Sequence, residues 1–166
     1  GGKATLRYEG SADGTALPSL SWRWSKPDAP ALAALHSQTS TATDLGPVPA
    51  GLADWTRFMG PNGDGMLPAA DWKTVWAAHP TREVWRQPVG LGWSGFAVIG
   101  RRAITQEQRG EEECVTCYDV VTGKLLWSHA DKVLFTEGMG GSGPRATPSI
   151  APATGSVYAM GATGIL

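Results

Sequence analysis

The sequence predicts an all-β fold: a β-propeller fragment of about one and a half four-stranded antiparallel blades, preceded by an irregular N-terminal arm. Trp85 and Trp127 each close a similar short segment and lie 42 positions apart, within the roughly 40–50 residues of one propeller blade. The 166 residues include 22 Gly and 12 Pro, which supply the turns that many short strands require. Between the two tryptophans, short apolar runs alternate with turn residues, a pattern typical of consecutive hairpins.

Composition removes several classes of function. The formal net charge of −1 gives no electrostatic basis for binding nucleic acid or a charged membrane surface. The longest apolar runs are far shorter than the roughly 20 residues that a transmembrane helix needs. No signal peptide is visible, because Gly1-Gly2-Lys3 does not lead into an apolar segment.

Residues 1–54 differ from the rest and form the predicted N-terminal arm. Short extended pieces are expected at 7–10 and 20–25, with Trp22 and Trp24 on one strand face. Residues 26–50 are rich in Pro, Ala, Ser and Thr and bury too little apolar surface to offset their ordering entropy. They are therefore predicted to be a linker.

The predicted propeller part spans residues 55–166. It begins with a dense turn signal at 61–65, followed by a brief helix at 71–76 in which Trp72 and Trp76 form an inward stripe. The first blade covers about 84–129. A strand is predicted at 84–88, and within the Trp85-to-Trp127 period four consecutive antiparallel strands follow at 94–99, 103–108, 113–119 and 124–129.

An incomplete second blade covers 143–166, with strands at 145–150 and 156–160 that match the second and third strands of the first blade. A propeller cannot close with one or two blades, so we expect the chain to be a piece of a larger protein. On this interpretation the break falls inside the second blade.

The two cysteines, Cys114 and Cys117, form a C-x-x-C string that invites a redox or zinc interpretation. They lie in a predicted strand, where positions i and i+3 face opposite sides at about 10 Å, too far apart for a disulfide. No second Cys or His pair completes a zinc site. We expect both to be small buried hydrophobes.

The segment 118–127 resembles the tryptophan-docking motif of pyrroloquinoline quinone (PQQ) type β-propellers. In that motif an Asp-x-x-Thr-Gly turn links the third and fourth strands, and the Trp docks against the neighbouring blade. The resemblance implies structural roles for Asp119, Thr122, Gly123, Trp127 and, by equivalence, Trp85. On the residues alone, Asp119 can accept hydrogen bonds from its own turn, Gly123 suits a positive φ, and the Trp127 indole N–H needs an acceptor.

Four further segments are similar to PQQ-binding-like propeller repeat proteins of bacteria, the quinoprotein alcohol dehydrogenase-like propellers: 57–65, 92–95, 105–110 and 143–148. The resemblance covers about 55–166. It implies a periplasmic or cell-envelope location. It also makes PQQ with calcium a conceivable cofactor pair, although no cofactor is evident from the residues themselves.

By blade equivalence, Trp93 and Arg145 occupy matching positions at the entry of successive inner strands. They are candidates to line a central funnel, where they would stack on and neutralise a planar anionic ligand such as a quinone tricarboxylate or an acidic sugar. The alternative is that Trp93 packs in the core and Arg145 pairs with Glu137 or Glu107.

Gln106 and Gln108 share one face of an unusually polar predicted strand, with Glu107 and Arg109 on the other. They form either a hydrogen-bond network between blades or part of a ligand site. No catalytic triad, acidic dyad, phosphate-binding loop or metal cluster stands out, so no catalytic or metal-binding residue is predicted.

The function expected from these observations is a non-catalytic binding or scaffold propeller of the bacterial cell envelope, similar to the propellers of outer-membrane protein assembly. Its partners would be other proteins or the remainder of its own propeller. The alternative is a PQQ- and calcium-dependent alcohol dehydrogenase-type enzyme whose catalytic blades are missing from this chain. A repeat protein with a purely structural role is the third interpretation.

Overall fold

The computed structural model describes residues 5–10, 19–22, 24, 38–39, 45–66, 76–78, 80–137 and 140–166. These residues form strands and turns and no helix, so the predicted all-β fold is confirmed. Nothing in this part of the chain offers a helix long and apolar enough to cross a membrane. In chain order the strands are β1 Leu6–Gly10, β2 Ser19–Trp22, β3 Gln38–Thr39, β4 Ala97–Ile99, β5 Arg102–Arg109, β6 Glu112–Asp119, β7 Leu125–Asp131, β8 Thr136–Glu137, β9 Gly141–Ser142, β10 Ser149–Ala151 and β11 Ser156–Tyr158.

One antiparallel sheet, in the order β3-β7-β6-β5-β4, dominates the structure. Its four strands β4 to β7 run as a meander, as the sequence predicts, because glycines with positive φ at Gly100, Gly110 and Gly123 allow the tight connections. A register shift lies between Cys117 and Tyr118, so β7 gains one residue relative to β6 there.

A hydrophobic cluster on one face of this central sheet joins it to β10 and β11. Ala97, Ile104 and Cys117 are buried there and pack with Ile150 of β10, and Val157 of β11 joins them. β10 and β11 form a separate antiparallel pair that packs on this face. The sheet-on-sheet arrangement agrees with the predicted order of two similar units, while closure into a propeller stays a prediction.

Both cysteines are free and fully buried. Burial raises the pKa of the Cys117 thiol to about 12, which keeps it protonated and unreactive at neutral pH. The prediction that Cys114 and Cys117 are small buried hydrophobes is confirmed.

The predicted strand at 84–88 is wrong, because residues 80–90 make no strand pairing. Pro88 offers no N–H, and the segment is held by side chains instead. The indole N–H of Trp85 donates to the Val120 carbonyl at 2.7 Å, and the Gly90 N–H donates to the Glu107 carboxylate. These two hydrogen bonds hold the segment in place although it pairs with no neighbouring strand.

Part of the predicted N-terminal arm falls within the described residues. β1 and β2 pair as a hairpin, and the Trp22 and Trp24 rings stack with centroids 5.8 Å apart. Residues 26–37 and 40–44 of the predicted linker lie outside the described residues. The linker prediction is wrong at β3, which pairs with Ser128 and Trp127 of β7 and so extends the central sheet by one strand.

Of the predicted helix at 71–76, residues 71–75 lie outside the described residues. Trp76 lies in a turn and is 69% exposed, so it forms no inward stripe. The preceding turn at 61–65 is present as predicted, with positive φ at Gly63 and Gly65.

Trp85 docks on the turn that joins β6 to β7. Asp119 shapes this turn: its carboxylate accepts hydrogen bonds from the Val121 N–H at 3.1 Å and the Thr122 hydroxyl at 2.8 Å, and it pairs with Arg101 at 2.6 Å. Gly123 adopts φ +69°, and a Cβ built there would lie 2.7 Å from the Trp85 ring. The ring therefore lies flat against a residue that has no side chain.

Replacing Gly123 by Ala is expected to lower the free energy of unfolding by about 2–4 kcal/mol, from the left-handed backbone and the displaced Trp85 ring together. Gly110→Ala is the matched control, because its φ is +60° and nothing lies within 4 Å of the added Cβ. The control should lose only the backbone part, about 1–2 kcal/mol. Urea unfolding measures both, and equal losses would mean that Trp85 does not dock here.

Candidate functional site

The β4 edge of the central sheet bulges outward between two points of pairing. Leu91 pairs with Gln108 and Ala97 pairs with Ile104, so this edge has two more residues than the stretch of β5 opposite. Residues 92–96 leave the ladder, and Ser94 replaces one ladder partner by accepting the Gln106 N–H through its hydroxyl at 3.1 Å. The predicted site residue Trp93 lies in this bulge.

The bulge contacts the glycine-rich loop that precedes β10. The backbone N–H of Trp93 donates to the Pro144 carbonyl at 2.9 Å, and the Gly95 N–H donates to the Thr147 hydroxyl at 2.9 Å. Gly143 has φ +97° and meets the Leu91 carbonyl so closely that no side chain fits. We call residues 90–95 and 140–147 together the interlock, because their backbones fit into each other.

Trp93 does not pack in the core, so that part of the alternative interpretation is wrong. Its side chain is 64% exposed, while its indole N–H donates to the Gly140 carbonyl at 2.8 Å. The hydrogen bond and the bulge leave one aromatic face open to solvent on a well-held backbone. Leu91 and Phe96, on either side, are 55% and 40% exposed.

Arg145 is occupied by its own loop. Its guanidinium donates to the Gly141 and Gly143 carbonyls, each at 3.0 Å, and lies 3.4 Å from the Glu137 carboxylate. It also lies 5.6 Å from the centre of the Phe135 ring. The alternative in which Arg145 pairs with Glu137 therefore describes the structure, and Glu107 pairs elsewhere.

Gln106 and Gln108 share a face and are both 3% exposed, but they have different partners. The Gln106 amide donates to the Ala146 carbonyl at 2.9 Å and so links the central sheet to the loop before β10. The Gln108 amide donates to the Val133 carbonyl at 2.8 Å. Both side chains join segments of this chain, and a hydrogen-bond network between blades stays a prediction.

The opposite face of β5 carries a charged cluster that the sequence analysis did not single out as a unit. Glu107 is 1% exposed and pairs with Arg109 at 3.0 Å. The Tyr118 hydroxyl donates to Glu107 at 2.7 Å, and the Gly90 N–H donates to the same carboxylate. Alternation placed Glu107 and Arg109 on one face. Tyr118 is the cross-strand partner of Ala103 and not of Glu107, so only the hydrogen bond from its hydroxyl identifies it as the third member.

Electrostatics in this cluster favour the charged carboxylate. Burial by itself raises the pKa of Glu107, but hydrogen bonds from Arg109, the Gly90 N–H and Tyr118 outweigh it and hold the pKa below its ordinary value. Burial first, and then Glu107, raise the pKa of Tyr118 to about 12. Every group is engaged by another, so the cluster fastens residues around Gly90 to the sheet.

The residues named for a quinone ligand do not fit one. The Arg145 guanidinium and the Gln106 amide donate to backbone carbonyls, and the Trp93 indole N–H does the same, so their donors do not converge on a tricarboxylate. Among the described residues, no three His, Cys, Asp or Glu side chains gather closely enough to hold a metal ion such as calcium.

Comparisons with known proteins identify no relative of this chain. No protein-family model matches it, and no curated protein and no solved structure is significantly similar to it.

Proposed function

We propose that this chain is a non-catalytic binding or scaffold module, a β-propeller of the bacterial cell envelope that acts through a protein partner. The observation that supports a binding role is the outward presentation of Trp93. Its indole is tied to the Gly140 carbonyl at one end and its backbone to Pro144, so the exposed ring loses little further freedom on contact with a partner.

The polar side chains near Trp93 also support a non-catalytic role, because their hydrogen-bonding groups are engaged within the chain. Arg145, Gln106 and Glu107 each satisfy partners within the chain, which suits residues that hold sheets together. A pre-organised aromatic residue with apolar neighbours Leu91 and Phe96 is the usual centre of a protein-binding surface. The envelope location follows from the sequence resemblance alone.

The test places a photo-reactive benzoylphenylalanine at Trp93 of the full chain and irradiates it in a bacterial envelope preparation. We expect one discrete protein adduct, identified by mass spectrometry, and a loss of about 2 kcal/mol in affinity for that protein in Trp93→Ala. Lys124, exposed at a β-turn, is the control position for the same probe. No adduct from Trp93, or the same adduct from both positions, would contradict the proposal.

The enzyme alternative is tested with the same protein. Calorimetric titration of the full chain with PQQ, with and without calcium, should give no saturable heat if the module is a scaffold. Saturable, calcium-dependent binding that Arg145→Ala abolishes would favour the dehydrogenase interpretation.

A further inference from the structure

A cleft of about 270 Å³ lies on the face of the central sheet that also packs against β10 and β11. β11 and the turn at 161–166 form its far wall. Its lining contains two carboxylates and no lysine or arginine, so its electrostatic field favours cations. We call it the Trp127 cleft; the sheet side is made by Gln106, Glu113, Val115, Trp127, His129 and Asp131.

Glu113 is a buried carboxylate without a counter-charge. It is 9% exposed, and its two oxygens accept only the Ala162 N–H, at 3.2 and 3.0 Å. In the part of the chain that the structure describes, no basic side chain lies within ion-pair distance of it. Burying such a charge is costly, and one backbone donor leaves most of its acceptor positions unused.

Asp131 adds a second negative charge beside the first. It is the direct cross-strand partner of Glu113, so both side chains leave the sheet on the same face. Like charges in such a pair repel each other. His129 approaches Asp131 at 3.3 Å but engages only one of the two carboxylate oxygens. A cation in the cleft would relieve this repulsion.

Trp127 supplies the apolar part of the same cleft. It is half-buried, and among the described residues no acceptor lies within hydrogen-bond distance of its indole N–H. Aromatic faces attract ammonium and guanidinium groups, most strongly where water is partly excluded. Val115, on the neighbouring strand, extends the apolar floor between the ring and the carboxylates.

We propose that the Trp127 cleft binds an organic cation, an alkylammonium or guanidinium group whose charge pairs with Glu113 and Asp131 while its carbon chain lies along Val115 and Trp127. The volume suits one side chain or a small diamine. Such a group comes either from a Lys or Arg of a protein or from a free polyamine. The cleft includes none of Leu91, Trp93 and Phe96, so amine binding in the cleft and the proposed scaffold function are tested independently.

In the test, the full chain is titrated with 1,5-diaminopentane and, separately, with a blocked tripeptide that contains one lysine. Calorimetry measures the binding in both titrations. We expect saturable binding that Glu113→Gln weakens about tenfold or more, because a charge-assisted hydrogen bond is lost. Tighter binding of the peptide would assign the cleft to a protein side chain, and tighter binding of the diamine to a polyamine. The uncharged 1-pentanol should not bind.

Glu111→Gln is the matched control, since Glu111 is exposed in the turn before β6 and outside the cleft. Glu113→Gln keeps an acceptor for the Ala162 N–H and removes the uncompensated charge, so the ligand-free variant should unfold at the same or a higher urea concentration. Absence of saturable amine binding, equal losses in both variants, or a strongly destabilised Glu113→Gln would overturn the proposal.

Discussion

Replacing Glu107 by Ala is expected to remove about 3–5 kcal/mol from the free energy of unfolding. The change leaves Arg109 charged and only 8% exposed, and it leaves the Tyr118 hydroxyl and the Gly90 N–H without their acceptor. Small proteins have about 5–15 kcal/mol in total, so the variant should be mostly unfolded at mild urea concentrations.

Two controls separate the cluster from a general loss of charge. Glu111→Ala removes an exposed carboxylate of the neighbouring turn and should change stability by less than about 0.5 kcal/mol. The double variant Glu107→Leu with Arg109→Met removes both charges and should recover part of the loss, because no unpaired charge remains buried. A double variant less stable than Glu107→Ala would contradict the ion-pair account.

Acid provides a second measure of the same interaction. The pKa of Glu107 is lower in the folded chain than its ordinary value of 4.5, so its charged form stabilises the fold above that pH. This stabilisation is lost as the pH falls below about 4.5 towards the folded pKa. Asp119 behaves in the same way: burial raises its pKa, but hydrogen bonds from Arg101, Thr122 and the Val121 N–H outweigh this and lower it. Glu107→Ala should therefore flatten the acid limb of the stability curve only in part.

The sequence predicted the meander of β4 to β7 because its signals are local. Each connection has its own turn glycine, at Gly100, Gly110 and Gly123, and each strand has its own apolar run. The strand predicted at 84–88 is absent because the contacts that determine this segment are not local. That segment is apolar enough for a strand, yet Trp85 and Gly90 are held by partners 35 and 17 residues away in the chain.

The candidate site shows the same difference between features set by local sequence and features set by contacts between distant residues. Alternation predicted which of Gln106, Glu107, Gln108 and Arg109 share a face, but it carries no information on what each faces. Trp93 points outward because its indole N–H reaches Gly140, 47 residues away, and because surplus residues bulge from the edge. The sequence offered Arg145 either a ligand or a glutamate partner, and only the folded loop reveals that the Gly141 and Gly143 carbonyls also accept its hydrogen bonds.

The interlock depends on Gly143 more than on any side chain within it. Gly143→Ala is expected to lower the free energy of unfolding by about 3 kcal/mol or more, since it combines a left-handed backbone with overpacking. A Cβ there would lie 2.8 Å from the carbonyl carbon of Leu91 and 3.0 Å from the Gly92 Cα, and backbone atoms cannot turn away as a flexible side chain does. Urea unfolding followed by far-UV circular dichroism measures the loss.

Gly141→Ala is the control in the same loop, because its φ of +71° is also left-handed but nothing lies within 4 Å of the added Cβ. It should lose only the backbone part, about 1–2 kcal/mol. The difference between the two variants therefore isolates the contact between bulge and loop, the contact that holds the Trp93 backbone against Pro144. If that contact orders the surface, Gly143→Ala should also abolish the photo-adduct at position 93, whereas Gly141→Ala should preserve it. Equal stabilities, or an adduct that survives in both variants, would mean that the Trp93 surface is ordered without the interlock.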